Sequence, residues 1–302
     1  MRKRILYGAL MIAAVAGLLV LDAWIGWRID AHLTGRAPEA PAPAPLYALP
    51  LAVLLVGLLV RAVVELMTLF AAAGVAMLRV SALFGATALG TLPFWWQFTG
   101  APLTGGVVLG VVTLLLAVVF AEQMLLRRCL HALQGVGATA LALVYLGAGA
   151  AVMLQMRLDF GVAALATFLA AVKFADIGAY FTGKAIGRHK LVPSISPHKS
   201  WEGLAGAVVF GAGAAAGAAY LLGPLPGGEP LTAIPPPLAA AFGAALALAG
   251  QFADLAESVL KRSAKVKDSG RAVPEFGGIL DILDSPLLAA PVGYILLAVL
   301  TG

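Results

Sequence analysis

The stretch Pro236-Pro-Leu-Ala-Ala-Ala-Phe-Gly-Ala-Ala-Leu-Ala-Leu-Ala-Gly-Gln-Phe-Ala-Asp254-Leu-Ala-Glu-Ser258-Val-Leu-Lys261-Arg262 decides the fold class. Its residues 238–253 carry no charge, and the apolar window, read as about 236–259, meets the length of about 20 residues that a membrane-spanning helix needs. Its far end changes character. On a helix Asp254, Ser258, Lys261, Arg262 and Lys265 recur at i, i+4, i+7, i+8 and i+11, so one face carries a carboxylate, a hydroxyl and three cations. A basic helix end whose lysines reach for the headgroups accounts for the cations. It does not account for Asp254, a turn or more deeper.

Working outward, windows of the same kind recur along the whole chain. About nine are expected by the length criterion, at 5–27, 47–70, 73–98, 104–125, 132–154, 160–182, 204–223, 236–259 and 280–300. Arg79 interrupts the third. The 302 residues are 61% hydrophobic and 12% charged, against about 25% charged in soluble domains, so a water-soluble fold is excluded. The expected fold is therefore all-α, a polytopic transmembrane helical bundle. Residues 1–130 supply framework helices, residues 131–302 carry the chemistry, and together they form one continuous membrane domain.

The net charge of +5 does not imply nucleic-acid binding, because Lys and Arg are scattered between apolar spans. They read as topology signals and anion ligands. Met-Arg-Lys-Arg opens the chain, and the apolar run behind it continues to Trp27 without a clear small-residue cleavage site, so a retained first helix is expected. With the N-terminus inside, Arg2, Lys3, Arg4, Arg79, Arg127, Arg128, the 184–199 loop and the 261–271 loop fall in the cytoplasm, leaving mainly Arg28, Arg36 and Arg157 outside. The Pro/Ala-rich run after Gly35 and the loop 223–237 read as external connectors. The single cysteine, Cys129, permits no intrachain disulfide, and His32, His131, His189 and His198 lack metal-ligand spacing. Arg61 and Glu65, at i,i+4 within a span, read as a mutually neutralising pair.

Two further segments join the Asp254 helix end. Gly277-Gly-Ile-Leu-Asp281-Ile-Leu-Asp284-Ser-Pro286 enters the last span with two aspartates at i,i+3. One aspartate there is explained by helix capping. Two, with Asp254 and Asp268, point instead to a site for a hard cation such as magnesium, as used in phosphoryl and nucleotidyl transfer. In the sixth window Asp176, Tyr180, Gly183, Lys184 and Gly187 share a helical face, and the loop beyond carries Arg188, His189, Lys190, Ser196, His198 and Lys199. This is no Walker loop. A basic, glycine-punctuated segment opposite a carboxylate cluster is what a metal–triphosphate complex requires.

At these residues the chain resembles a known family. Ser258-x-x-Lys261-Arg262-x4-Lys267-Asp268-x-Gly270, followed by Pro274-x-Phe276-Gly277-Gly278-x-x-Asp281-x-x-Asp284, closely resembles the C-terminal signature of phosphatidate cytidylyltransferases. Asp176-x-x-Ala179-Tyr180-x-x-Gly183-Lys184 and Ser196-Pro-x-Lys199-x-Trp201-Glu202-Gly203 are similar to the same family. The family usually has His where Phe276 stands and Arg where Ile282 stands, which reads as subfamily variation because every Asp and the Lys267-Asp268 pair remain.

The resemblance implies that CTP and phosphatidate, a membrane lipid, give CDP-diacylglycerol and pyrophosphate with Mg2+, in phospholipid biosynthesis at the cytoplasmic face of a bacterial-type inner membrane. It implies Asp254 and Asp281 as leading metal ligands, with Asp268 and Asp284 as further ligands or orienting groups. Lys261, Arg262 and Lys267 would hold the lipid phosphate or the pyrophosphate, Lys184, Arg188 and Lys199 the triphosphate, and Ser258 would donate to a phosphate. Asp176, Tyr180 and Ser196 complete the implied substrate-binding set, and a homodimer is expected from the family alone. The competing expectations are a CTP-dependent kinase of a lipid alcohol and a non-catalytic transporter or scaffold.

Overall fold

The apolar runs fold as helices almost throughout the computed structural model, which describes residues 2–34, 48–225, 228–270, 272–273 and 277–301. The Pro/Ala-rich run after Gly35 and Phe276 lie outside the described residues, as does part of the 223–237 loop. Six helical stretches among the described residues are long and apolar enough to cross a membrane: Leu49–Ala72, Gly105–Arg127, Ala132–Ile186, Trp201–Leu222, Pro236–Ser263 and Leu280–Thr301. The chain is an integral membrane protein, nearly all α-helical.

The remaining windows take other forms. In the first, the apolar part of helix α1 (Arg2–Thr34) is the shorter stretch Leu10–Gly26. The third is divided: after α2 (Leu49–Ala72) the chain turns through Gly74, at φ 79°, and resumes as α3 (Arg79–Gly90) and α4 (Leu92–Trp96). Pro93 has no N–H to continue α3 but suits the first turn of α4, so the helix breaks between them. The fifth and sixth windows lie in one run, α6 (Ala132–Ala142), a π-turn over Leu143–Ala148 and α7 (Gly149–Ile186), in which Gly161 leaves helical geometry at φ 86°. That break adjoins the boundary between the two windows.

The chain forms two compact units, one of Met1–Gln155 with Asp268–Asp281, the other of Met156–Lys267 with Ile282–Gly302. In the first, α2 buries Leu55, Leu59, Ala62, Val63, Leu66 and Leu69, at the spacing of one helix face. Helix α5 (Gly105–Glu122) ends in a carboxylate and the following π-turn in a guanidinium, and each satisfies backbone. Glu122 accepts from the N–H and hydroxyl of Ser81, both at 2.6 Å, in the first turn of α3, and Arg127 donates to the carbonyls of Ala76 and Met77 at 2.6 and 2.9 Å. A charge expected only to set topology thus also closes a turn.

In the second unit, α7 leads into a hairpin of β1 (Lys190–Val192) and β2 (Ser196–Ser200), then α8 (Trp201–Leu222), the short α9 (Glu229–Thr232) and α10 (Pro236–Ser263). Glycine and alanine let α7, α8 and α10 approach closely around buried Ala175, Ala207 and Ala247. A Cβ on Gly211 would stand 2.9 Å from the Gly243 carbonyl, and one on Gly178 2.7 Å from that of Gly206. These contacts pack α8 against both α7 and α10, and a Cβ on Gly250 of α10 would stand 3.6 Å from Val172 of α7. The last helix, α11, spans Leu280–Thr301.

Helix α10 stops at Ser263, and Lys265 adopts left-handed φ 56°. The N–H groups of Lys265 and Val266 bond back to Arg262 and Lys261 carbonyls at 3.0 Å each, a Schellman closure. Lys265 therefore leaves the helical face on which the sequence reading placed it.

Candidate active site

Polar groups in the second unit gather where α7, β2, α10 and α11 bring ionisable residues into apolar helices. An ionised group inside a span costs about 2.5–3.5 kcal/mol on insertion scales, so partners are required. Asp254 has two. The Lys199 ammonium, at the end of β2, donates to Asp254 Oδ2 at 3.0 Å and to the Gln251 carbonyl at 3.0 Å. The Ser285 hydroxyl donates to Asp254 Oδ1 at 2.5 Å. Ser285 also turns its N–H to Asp284 Oδ1 at 2.6 Å, so one residue of α11 tethers both carboxylates. Asp284 and Ser285 are buried.

Lys173 and Asp176, one turn apart on α7, add an ion pair at 3.3 Å, and Lys173 Nζ donates to the Ile282 carbonyl at 3.1 Å. Asp284 lies in the field of Asp254, Glu257 and Lys173. Glu257 is buried and pairs with Lys261 one turn along α10. The cluster thus alternates carboxylates and amines, an arrangement that holds charge inside an apolar bundle and can exchange an internal ion pair for a charged ligand.

Among the described residues, no three His, Cys, Asp or Glu side chains form a ready-made metal cage. Magnesium does not require one, since it takes one or two carboxylates and completes its shell with water and phosphate oxygens. Asp254 and Asp284, tethered by Ser285, match that donor chemistry, and Asp176 Oδ1 is buried with no hydrogen-bond partner. The residues present fit the ion.

The other expected site residues lie as follows. Lys184 and Arg188 are exposed beyond the cluster, with Lys184 Nζ 5.8 Å from the centre of the half-exposed Tyr180 ring. Ser196 opens β2, and Arg262 Nε donates at 3.3 Å to the Ile195 carbonyl in the hairpin turn. Ser258 is half-buried on α10 and Lys267 is exposed after it. Glu202 holds the hairpin, accepting from His189 Nδ1 at 2.6 Å and from the Arg188 N–H at 3.1 Å.

Asp281 and Asp268 belong to the first unit. There Asp281 Oδ2 accepts from the Gly278 N–H at 2.7 Å, the Ser269 hydroxyl at 2.8 Å and the Ser269 N–H at 3.0 Å. The carboxylate ties the signature loop to the start of α11, while Asp268 is exposed. Glu65 pairs with Arg61 at 3.2 Å, as the spacing predicts, and also reaches this loop.

Sequence reasoning missed Lys173, Glu257 and Ser285 as members of the site. Each had a signal: Lys173 is an ionisable residue within a span, three before Asp176; Glu257 stands at i−4 from Lys261; Ser285 follows Asp284 directly.

The model of the cytidylyltransferase family matches residues 44–300. The chain is 40% identical to a phosphatidate cytidylyltransferase of Bacillus subtilis (strain 168) over 165 residues, 54% of this chain and 58% of that protein. Against the phosphatidate cytidylyltransferase of Brucella suis biovar 1 it is 37% identical over 164 residues, 53% of this chain and 57% of the relative. With that of Mycobacterium tuberculosis (strain ATCC 25618 / H37Rv) it shares 39% over 131 residues, 43% of this chain and 37% of the relative. The matched stretch thus spans little more than half of the first two relatives and less of the third.

Proposed function

Because this chain belongs to the cytidylyltransferase family, we propose that it transfers the cytidylyl group of CTP to phosphatidate, giving CDP-diacylglycerol and pyrophosphate. The observation that carries the reading to particular residues is the paired Asp254 and Asp284, bridged by Ser285 and faced by Lys199, in otherwise apolar helices. The names of the relatives supply the substrate class.

A phosphatidate oxygen attacks the α-phosphorus of CTP; the new P–O bond forms as the bond to the β-phosphate oxygen breaks, and pyrophosphate leaves in line. The nucleophile is already anionic near neutral pH, so the chain supplies charge neutralisation and alignment rather than a strong base. Lys199 exchanges Asp254 for a phosphate oxygen. Lys173 holds Asp176 and the entry of α11 in place. Lys184 and Arg188 gather the triphosphate tail at the surface, and Lys261, Arg262 and Lys267 serve the lipid phosphate or the leaving pyrophosphate. Ser258 donates to a phosphate oxygen; Tyr180 and Ser196 line the approach.

Asp254 and Asp284 would hold magnesium, which would supply neutralisation of the charge on the phosphate oxygens. Asp268 and Asp281 are assigned to the same metal chemistry on the signature alone. The distribution of Lys and Arg supports a cytoplasmic N-terminus and a cytoplasmic site. A homodimer completes the proposal, and nucleic acid has no part in it.

The test is purified protein in detergent with phosphatidate, magnesium and CTP labelled at the α-phosphate. Labelled CDP-lipid is the expected product. Folded wild-type protein that passes no label to lipid, or that passes only the γ-phosphate, sinks the proposal.

A further inference from the structure

Glu65 lies within α2, in the half of the chain read as framework, yet its buried carboxylate is bound to the signature loop. Its Oε2 accepts the Leu280 N–H at 2.9 Å, and the Ser269 hydroxyl stands 3.4 Å away. Leu280 opens α11, and its N–H is one of the helix-start donors without an intrahelical acceptor. The preceding residue, Ile279, has no side-chain acceptor to offer, so Glu65 caps the helix from a position 215 residues earlier.

The loop glycines show the same fit. A Cβ at Gly270 would stand 2.7 Å from Glu65 Oε1, and one at Gly278 2.9 Å from Glu65 Cδ. Between them Val273 and Gly277 pair through two backbone hydrogen bonds at 2.9 and 3.0 Å, with Gly277 at φ 96°. The loop is folded around one carboxylate. Neutralising Arg61 does not require this arrangement. Arg61 Nε is 3.2 Å from Oε1, which makes no hydrogen bond, and the Arg61 side chain is half exposed.

From this geometry we infer that Glu65 is a positioning residue for the transfer reaction: it caps α11 and fixes the loop that orients Asp281. The inference rests on the proposed function for its activity readout and on geometry alone for its structural one.

The experiment uses the full chain in detergent with Glu65→Ala, Glu65→Gln, Gly270→Ala and the double variant Glu65→Ala/Gly270→Ala. Amide exchange is followed over the loop and the first turn of α11, beside kcat and the KM for CTP. Loss of a hydrogen bond to a charged group predicts that Glu65→Ala lowers protection at Leu280 by about 10- to 100-fold. It lowers kcat by a similar factor, with KM for CTP within about threefold, as expected for misplaced chemistry rather than lost binding. Glu65→Gln keeps an acceptor oxygen and restores most of both. Gly270→Ala loosens the loop in the native background but costs nothing further beside Glu65→Ala, where the obstructing carboxylate is gone.

Wild-type exchange and kcat in folded Glu65→Ala overturn the inference, as does an equal cost of Gly270→Ala in both backgrounds. Should Glu65→Ala not fold, Gly270→Ala with unchanged exchange at Leu280 overturns it, and loosened exchange there supports it. Wild-type protein that transfers no cytidylyl group defeats the functional proposal instead, and exchange at Leu280 still decides the role of Glu65.

Discussion

Replacing Lys199 by Met removes the amine that faces Asp254 while keeping much of the side chain's length and apolar stem. At 3.0 Å the Coulomb attraction in an effective dielectric near 20 is about 5 kcal/mol, most of it cancelled by the desolvation of both groups. Loss of a hydrogen bond to a charged group costs about 1.5–3 kcal/mol, and partial exposure of the pair, 17% and 29% for the two side chains, lowers that to roughly 1–2 kcal/mol. The expected fall in melting temperature is about 2–8 °C. Asp254→Asn also destabilises, because it leaves the Lys199 ammonium opposite a neutral group.

The double variant Lys199→Met/Asp254→Asn strands neither charge. Its loss falls short of the sum of the single losses, with a coupling energy of about 0.5–2 kcal/mol. Thermal unfolding in detergent, monitored by intrinsic tryptophan fluorescence, measures all three variants. Activity responds separately: Lys199→Met lowers kcat/KM by about 10²–10³-fold, the cost of removing one preorganised donor. Additive thermal shifts, or a Lys199→Met enzyme within twofold of wild type, refute the reasoning that this pair is both a structural contact and a phosphate-binding switch.

Asp284→Asn lowers cytidylyl transfer by at least about 100-fold, because a buried anion that offsets a cation is lost; quantitation of labelled CDP-lipid checks it. Chelation of divalent ions abolishes the reaction and magnesium restores it, while a chelator-insensitive rate would remove the metal from the proposal. Gly243→Val drives a side chain toward Ala215, whose Cβ would lie 2.6 Å from the first added carbon, and costs about 1–3 kcal/mol of stability, read as a lower melting temperature. Ser285→Ala unties Asp254 from α11 and lowers kcat by about tenfold or more, with its backbone N–H to Asp284 retained.

The class of fold was legible because the cost of burying unpaired backbone in lipid leaves helices as the natural form for runs as apolar as 236–253. The aspartates of the signature were legible as well, since carboxylates in or beside spans are conspicuous. Lys261 shows where such reading stops. Its place on a polar helix face was evident, but its pairing with Glu257 depends on which rotamers the neighbouring helices leave open. Similarly, Pro93 marks the break in the third window, while the direction taken by the chain through Gly74 leaves no periodic trace.

By itself the sequence determined that this is a membrane-embedded helical protein whose C-terminal half resembles a family signature, because length, apolarity and motif spacing are properties of contiguous residues. Only the tertiary structure decided that Lys199 faces Asp254 across 55 residues, that Ser285 ties together two aspartates on different helices, and that Glu65 caps a helix 215 residues away. Such bonds join groups far apart in the chain. They are selected by close glycine–alanine packing and by the need of each buried polar group for a partner, and neither condition is written in any one stretch of sequence.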